Sequence, residues 1–378
     1  MSAILLGAAS LAVWLYLIFA RGFFWRAEIA PPAAPPAVAP EIVAVIPARD
    51  EAAVIGRAVA SLLSQDYPGR LSVIVVDDHS RDGTADAARD AARALGAEER
   101  LRVVGAPPLP AGWTGKLWAQ QAGFAEVAES AAYLLLTDAD IEHHAQNVAE
   151  LVARAEAGRL DLASLMVRLS NRSFAERALI PAFVFFFAKL CPFAWASDIA
   201  RSTAAAAGGC MLVRRTALAR LGGFAPIRNA LIDDCALARE IKKRGSIWLG
   251  LSRKTVSLRL YPGLGDIWRM IARTAYTQLE YSPVVLAGTV LGMVVTYLAP
   301  PLLVFTGGTA AWLGLAAWLL MSVAFVPMLR LYGQSPLWAP LLPAIALFYL
   351  GATIDSARRH WRGIGGEWKG RVHSRQNA

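Results

Sequence analysis

Leu71-Ser72-Val73-Ile74-Val75-Val76-Asp77-Asp78-His79-Ser80, with Asp82-Gly83-Thr84 close behind, joins a short apolar run to two adjacent carboxylates and a turn. A run of this length, rich in β-branched residues and bounded by Asp and Gly, reads as a buried strand. The turn leads into a helix opening at Thr84, whose hydroxyl is placed to cap a free amide. Strand, loop and helix in that order make half of a βαβ unit, and the order recurs on either side.

Working outward, further strands are predicted at 42–47, 101–104, 133–137 and 161–167, with helices in the gaps. The first helix shows a helical period at Val54, Ala58 and Leu62. From Ile42 to about Val213 the chain therefore reads as an α/β domain with a mostly parallel sheet. Such sheets place ligand contacts outside the carboxyl ends of their strands.

The ends of the chain are different. Of 378 residues, 56% are hydrophobic and only 18% charged, and the apolar excess collects at the two termini, a membrane pattern. Residues 3–20 carry no charge and span about 27 Å as a helix. Arg21 and Arg26 follow this run, which places the chain start outside and the rest in the cytoplasm; a cleaved signal peptide would put its positive end first. Residues 27–40 are nearly all Ala and Pro, a semi-rigid spacer.

Residues 282–305 and 309–328 read as a membrane hairpin about Gly307 and Gly308, and 337–354 as a third apolar stretch. Three crossings there would leave Arg358, Arg359, Arg362, Lys369 and Arg371 outside, against the rule that basic flanks stay in the cytoplasm. Pro340 and Pro343 make the last stretch the candidate for a re-entrant or interfacial element. The run Leu179 to Ala196, broken by Lys189 and Pro192, suits a core, interfacial or re-entrant helix, interfacial being preferred.

The resulting division is an anchor at 1–26, a linker at 27–40, a catalytic domain at 41–280 with an interfacial segment at about 179–197, a membrane region at 281–356 and a basic tail at 357–378. The net charge of +9 lies largely beside apolar segments rather than in an aromatic-interleaved stripe, so nucleic acid is not expected as a partner. Cys191, Cys210 and Cys235 have no metal-type spacing and read as reduced packing residues.

Four acidic constellations carry the chemistry. Pro47-Ala48-Arg49-Asp50-Glu51 follows the first strand, where an ordinary helix start would also use acids. Asp77 and Asp78 follow the second; they suit a ribose and a base edge, or simply a turn. Asp138-Ala139-Asp140 follows the strand at 133–137, and carboxylates two apart there can reach one hard divalent cation. His143 and His144 nearby read as solvated helix-face residues. Asp233-Asp234 precedes an amphipathic helix, as a cap or as a general base for an acceptor hydroxyl.

In this order and spacing the four resemble the family 2 glycosyltransferases, which have the GT-A fold, over about Ile42 to Tyr276. The resemblance implies that Pro47, Ala48, Arg49 and Glu51, with Asp77 and Asp78, hold the nucleoside of a nucleotide-sugar donor, a UDP-sugar foremost. It implies that Asp138 and Asp140 bind Mg2+ or Mn2+ beside that donor, that Lys116 of Gly115-Lys116 lies near it, and that Asp233 and Asp234 supply the base. Gly208-Gly209-Cys210-Met211, Arg214-Arg215 and Gly222-Gly223-Phe224 extend the match.

Processive members carry Gln-x-x-Arg-Trp before their membrane segments, whereas Met270-Ile271-Ala272-Arg273-Thr274 keeps the arginine alone, so polymerisation is not implied. Arg273 then pairs with the donor diphosphate or merely flanks the membrane. Gly112-Trp113-Thr114-Gly115-Lys116 and Arg269 through Tyr276 resemble the bacterial hopene-associated glycosyltransferases, which implies a hopanoid or similar polycyclic lipid acceptor.

The expectation is a multi-pass enzyme of the inner membrane with its catalytic domain cytoplasmic, transferring sugar to a membrane lipid with inversion. Rival readings are transfer to a polyprenyl phosphate, a nucleotidyltransferase, and a non-catalytic lipid-binding scaffold.

Overall fold

The computed structural model describes residues 3–363 and the backbone of 367–368 and 371–372, so most of the basic tail lies outside the described residues. The chain opens on an apolar helix, α1 (Ala3–Phe19), and the Ala/Pro stretch after it carries neither helix nor strand. Then β1 (Ile42–Ala48), α2 (Ala52–Leu63), β2 (Leu71–Asp77), α3 (Thr84–Ala94), β3 (Leu101–Gly105), α4 (Gly115–Ala125) and β4 (Tyr133–Thr137) alternate, as the apolar runs predict.

Next come β5 (Ile141–Glu142), α5 (Asn147–Ala157), β6 (Leu162–Arg168), α6 (Phe174–Leu190), α7 (Phe193–Ser197), β7 (Cys210–Arg214), α8 (Arg215–Arg220), α9 (Asp233–Lys242) and β8 (Ile247–Ser257). Helix α10 (Leu264–Gln278) leads to α11 (Pro283–Met293) and α12 (Ala299–Leu303), joined by a π-helical stretch at Val294–Leu298. The hairpin continues into α13 (Gly308–Leu331), and a 3-10 turn at Pro336–Leu341 introduces α14 (Leu342–Trp361).

Two compact units result. One holds Ile29–Leu169 and Trp195–Arg259; the other holds the described residues up to Glu28, Ser170–Ala194 and residues 260–363. In the first, eight strands run in the order β3-β2-β1-β4-β7-β6-β8-β5. Strands β3, β2, β1 and β4 are mutually parallel, β7 is antiparallel to both neighbours, and β5 is antiparallel to β8. Strand β1 is buried along its whole length, as a central parallel strand covered on both faces must be.

Alternate residues of β1 feed two cores: Ile42, Ala44 and Ile46 pack with Ile55, Val59 and Leu62 of α2, while Val43 and Val45 pack with Leu117 and Ala119 of α4. Gly123 lets α4 lie close, because a Cβ there would stand 2.4 Å from Val45 Cγ1. Pro47 sits in β1 beyond the last β4 pairing, at Val45–Leu136, so its missing N–H leaves no ladder bond unmade.

The second unit is apolar. Pro283–Thr306, Gly308–Leu331 and Pro336–Trp361 are each long and apolar enough to cross a bilayer, and α1 is a shorter apolar helix. Pro300 and Pro301 cannot donate, and the π-helical stretch sends the Ala299 N–H to Val294. Ser10 Oγ and Trp14 Nε1 of α1 donate to the carbonyls of Val295 and Thr296 at 2.7 and 2.8 Å, meeting the need that apolar surroundings impose on free carbonyls.

Helix α6 runs unbroken through Pro181 and buries Ile180, Val184 and Phe185 completely, with Phe185 against Phe24 and Phe325. The last segment doubles back: Trp318 Nε1 of α13 donates to the Pro340 carbonyl at 3.0 Å, thirteen residues before Leu331 or about 20 Å along the helix. Helix α14 then ends beside the start of α11, where Tyr281 and His360 stack at 4.4 Å. Against α10, Trp268 donates to Asp355 at 2.9 Å and the Tyr276 amide to Ser356 Oγ at 3.0 Å.

Candidate active site

Parallel pairing brings the carboxyl ends of β2, β1 and β4 to one edge of the sheet, and with them three of the four acidic stretches. Asp78 is 1% exposed, and its amide donates to the Ala48 carbonyl at 2.8 Å. Arg49 reaches the Asp78 carbonyl at 2.5 Å and stands 3.7 Å from its carboxylate. Asp77 accepts from the Ser80 amide at 3.0 Å and so closes the turn.

Asp50 and His79 hold left-handed backbone, φ 51° and 56°, a conformation uncommon outside glycine and tolerated best by Asp, Asn and His. Asp50 is fixed by bonds from the Arg81 amide and to Ser80 Oγ. Thr84 does not cap its own helix: Gly83 occupies the N-cap position, and the Thr84 hydroxyl accepts from the Glu51 amide at 2.9 Å, tying the two strand-end loops together.

Asp138 and Asp140 leave β4 on this edge. Lys116 Nζ, on the first turn of α4, lies 2.8 Å from Asp138 and 3.0 Å from Asp233 of α9, so one ammonium joins the third and fourth stretches. Neither member of the acidic pair caps α9, whose N-cap is Ile232. Instead Asp234 accepts from the Gly208 and Cys235 amides, each at 2.7 Å. Gly208 permits that approach, since a Cβ there would sit 3.3 Å from Asp234 Oδ2 and 3.4 Å from Lys116 Nζ.

Electrostatics follows from burial and proximity. Burial, then the Asp233 charge, pushes the Asp234 carboxyl up to about 6, while Lys116 and two amides pull the other way. Burial also pushes Asp138 up; Lys116 pulls it down, but Asp140 and Asp233 leave the net shift upward. For Lys116 burial opposes the charge, and the fields of Asp138 and Asp233 outweigh it, holding the ammonium above its ordinary value.

His143 is not on a solvated helix face. It is buried between Thr137 Oγ1 at 2.9 Å and Asn147 Nδ2 at 3.0 Å, and burial pushes its imidazole down to about 3, so it is a neutral brace behind β4. The three cysteines are free, and Cys210 and Cys235 are buried, consistent with packing roles. Arg273 is exposed on α10, in the apolar unit.

One residue of the cluster escaped the sequence reading. Arg259 Nε lies 2.8 Å from Asp140 and its Nη2 3.0 Å from Glu51, so it joins the first and third stretches. It stands two residues past the Ile141–Ser257 pairing of β5 with β8, and the Leu258 amide donates to the Asp140 carbonyl at 2.7 Å. No short motif marks it; only the pairing of β5 with β8, more than a hundred residues on, brings it to Asp140.

Two carboxylates two residues apart suit a hard cation that takes its other ligands from phosphate and water. Among the described residues no three His, Cys, Asp or Glu side chains form a group able to hold a metal, and Asp138 and Asp140 are each paired with a cation of the chain. The donor set therefore fits Mg2+ or Mn2+ arriving with a diphosphate rather than a metal held by protein alone.

Residues 39–255 match the family model described as "Glycosyltransferase like family 2". Among solved structures, a mannosyltransferase from Pyrobaculum calidifontis in complex with GDP-Man and Mn2+ aligns at TM-score 0.55 and 19% identity, over 93% of this chain and 98% of that one. At that identity the likeness is one of fold. Glucosyl-3-phosphoglycerate synthase from Mycobacterium tuberculosis aligns at TM-score 0.43 and 19% identity, over 64% of this chain and 80% of that one. No curated protein matches in sequence.

Proposed function

The chain belongs to glycosyltransferase family 2, and on that footing we propose that it is a membrane-bound inverting enzyme carrying a sugar from a nucleoside-diphosphate sugar, a UDP-sugar foremost, to a lipid acceptor. The observation that carries the reading is the single ammonium of Lys116 lying between Asp138 and Asp233. It brings the stretch suited to a leaving diphosphate and the stretch suited to a base within one side chain of each other.

In this reading Asp234, held by the Gly208 and Cys235 amides, takes the proton from the acceptor hydroxyl as its oxygen attacks the anomeric carbon. Lys116, paired with Asp233, offsets the repulsion between the two carboxylates and favours the ionised form of Asp234. Arg49, Glu51, Asp77 and Asp78, with the backbone of Pro47 and Ala48, form the nucleoside end. A Mg2+ or Mn2+ held by Asp138 and Asp140 would neutralise charge on the departing nucleoside diphosphate.

The apolar helices support a multi-pass protein of the inner membrane with its catalytic domain cytoplasmic. Three crossings, α1, Pro283–Thr306 and α13, leave both the domain and the tail on the cytoplasmic side. Pro336–Trp361 then dips in to the level of Trp318 and returns, which satisfies the charge rule that a fourth crossing would break. Confinement to the surface spares a lipid acceptor from leaving the bilayer. A hopanoid or similar polycyclic alcohol is the acceptor proposed first.

The test is a panel of labelled UDP- and GDP-sugars incubated with the full-length protein and bacterial lipid extract, with and without chelator. Labelled lipid and free nucleoside diphosphate are expected in the absence of chelator only. Pyrophosphate as the product, or donor binding without turnover in any lipid, would overturn the proposal.

A further inference from the structure

We propose that Arg259 is a resident counter-cation of the donor site, holding Asp140 against Glu51 in the donor-free enzyme and yielding Asp140 to a divalent cation only when a diphosphate accompanies it. The inference rests on the reading of Asp138 and Asp140 given above, and it concerns the order of binding rather than the transfer itself.

The Asp140 and Glu51 side chains keep only 10% and 13% of their surface exposed, and one guanidinium satisfies both through separate N–H groups. Two carboxylates brought this close repel each other unless a cation lies between them. The Arg259 side chain is 40% exposed, so its head has water to move into, whereas the two residues before it are pinned, Ser257 by the β5–β8 ladder and Leu258 by its amide on the Asp140 carbonyl. The base of the arm is fixed and its tip is movable.

A divalent cation on Asp140 would meet that guanidinium at close range, and like charges in a poorly solvated site oppose each other. A nucleoside diphosphate removes the opposition, because its anionic oxygens accept both the cation and a planar fork of N–H donors. Cation and donor binding are then coupled, and the coupling is reciprocal by linkage. Arg259 is in this account a positioning residue: it sets when the cation can be held.

The experiment measures Mn2+ bound to the full-length protein in detergent, by the electron paramagnetic resonance of the free ion, with Mn2+ alone and with added UDP or GDP. Arg259→Gln should bind Mn2+ alone at least tenfold more tightly than the parent protein, and added nucleotide should tighten Mn2+ binding at least tenfold more for the parent than for the variant. A structural role would weaken binding in the variant rather than strengthen it. Equal or weaker Mn2+ affinity in the variant overturns the proposal, as does Mn2+ binding by neither protein.

Should Arg259→Gln fail to fold, Arg259→Lys decides. An ammonium cannot hold both carboxylates in a planar fork, so tighter binding of Mn2+ alone than in the parent is expected, and parental affinity refutes the idea. Sugar transfer is not the readout, so a wrong acceptor would leave this result standing.

Discussion

Replacing Asp234 by Asn removes a proton acceptor while keeping the shape of the side chain, and the structure dictates more than a loss of charge. Both carboxylate oxygens now accept backbone N–H bonds, from Gly208 and Cys235, each at 2.7 Å. An amide has one oxygen, so its NH2 must face one of those N–H groups, a mismatch worth about 1–3 kcal/mol. Part of that is returned, because the charge removed is one that burial and Asp233 disfavour. Stability should therefore fall by roughly 1–2 kcal/mol.

Losing a general base slows the chemical step by about 10²–10⁴-fold, equal to roughly 3–5 kcal/mol of barrier. The assay is steady-state transfer from the labelled sugar donor to extracted lipid, with thermal melting of the same detergent preparation as the control. Turnover should drop by that factor with the KM for donor within a few-fold of the parent value. Turnover within threefold of the parent would refute Asp234 as base and favour an acceptor that already carries its charge, a polyprenyl phosphate.

Because Asp234 must be ionised to act and its carboxyl is pushed up to about 6, kcat/KM should fall tenfold per pH unit below about 6; a flat profile to pH 5 would contradict the assignment. Lys116→Met removes the charge that holds Asp234 and Asp138 down, so the acid limb should move above 6. The fold should lose roughly 2–3 kcal/mol, less than a fully buried pair because Asp138 keeps 35% of its side chain in water. Trp14→Phe abolishes the bond to the Thr296 carbonyl and should lower the stability of the apolar unit by about 1 kcal/mol in bicelles. A reporter fused after Ala378 should be active only on the cytoplasmic side; periplasmic alkaline phosphatase activity would restore a fourth crossing.

Much of this was legible in the sequence because it is local. Strands β1 to β4 announce themselves as apolar runs of strand length, and their acidic ends follow directly. No strand is predicted at β7, and its antiparallel direction has no sequence mark, since Cys210-Met211-Leu212-Val213 is as apolar as a parallel strand; it follows from the place of β7 between β4 and β6. Thr84 was read as a cap for its own helix, but the neighbouring loop presents the Glu51 amide to the same hydroxyl. The sequence reads His143 onto a solvated helix face, but it lies before α5, where Thr137 and Asn147 close over it. Arg259 carries no local signature at all.

The charges on this sheet edge bear on the proposed arrival of a cation with the donor. Among the described residues, the ion pairs of the cluster set Asp78, Asp138, Asp140, Asp233 and Glu51 against Arg49, Lys116 and Arg259, and Asp234 adds a further carboxylate beside them. A nucleoside diphosphate approaching such a site meets an excess of negative charge, and each like pair at 4 Å opposes it by about 4 kcal/mol at an effective dielectric of 20. Three resident cations already committed to carboxylates cannot supply that compensation without abandoning them. A divalent ion can; the carboxyls of Asp138 and Asp234 are raised by burial first, and the neighbouring carboxylates add to that shift. On the proposed reading the two features are linked: the carboxylate crowding that favours a cation beside the diphosphate adds to burial in raising Asp234, and so strengthens the proposed base.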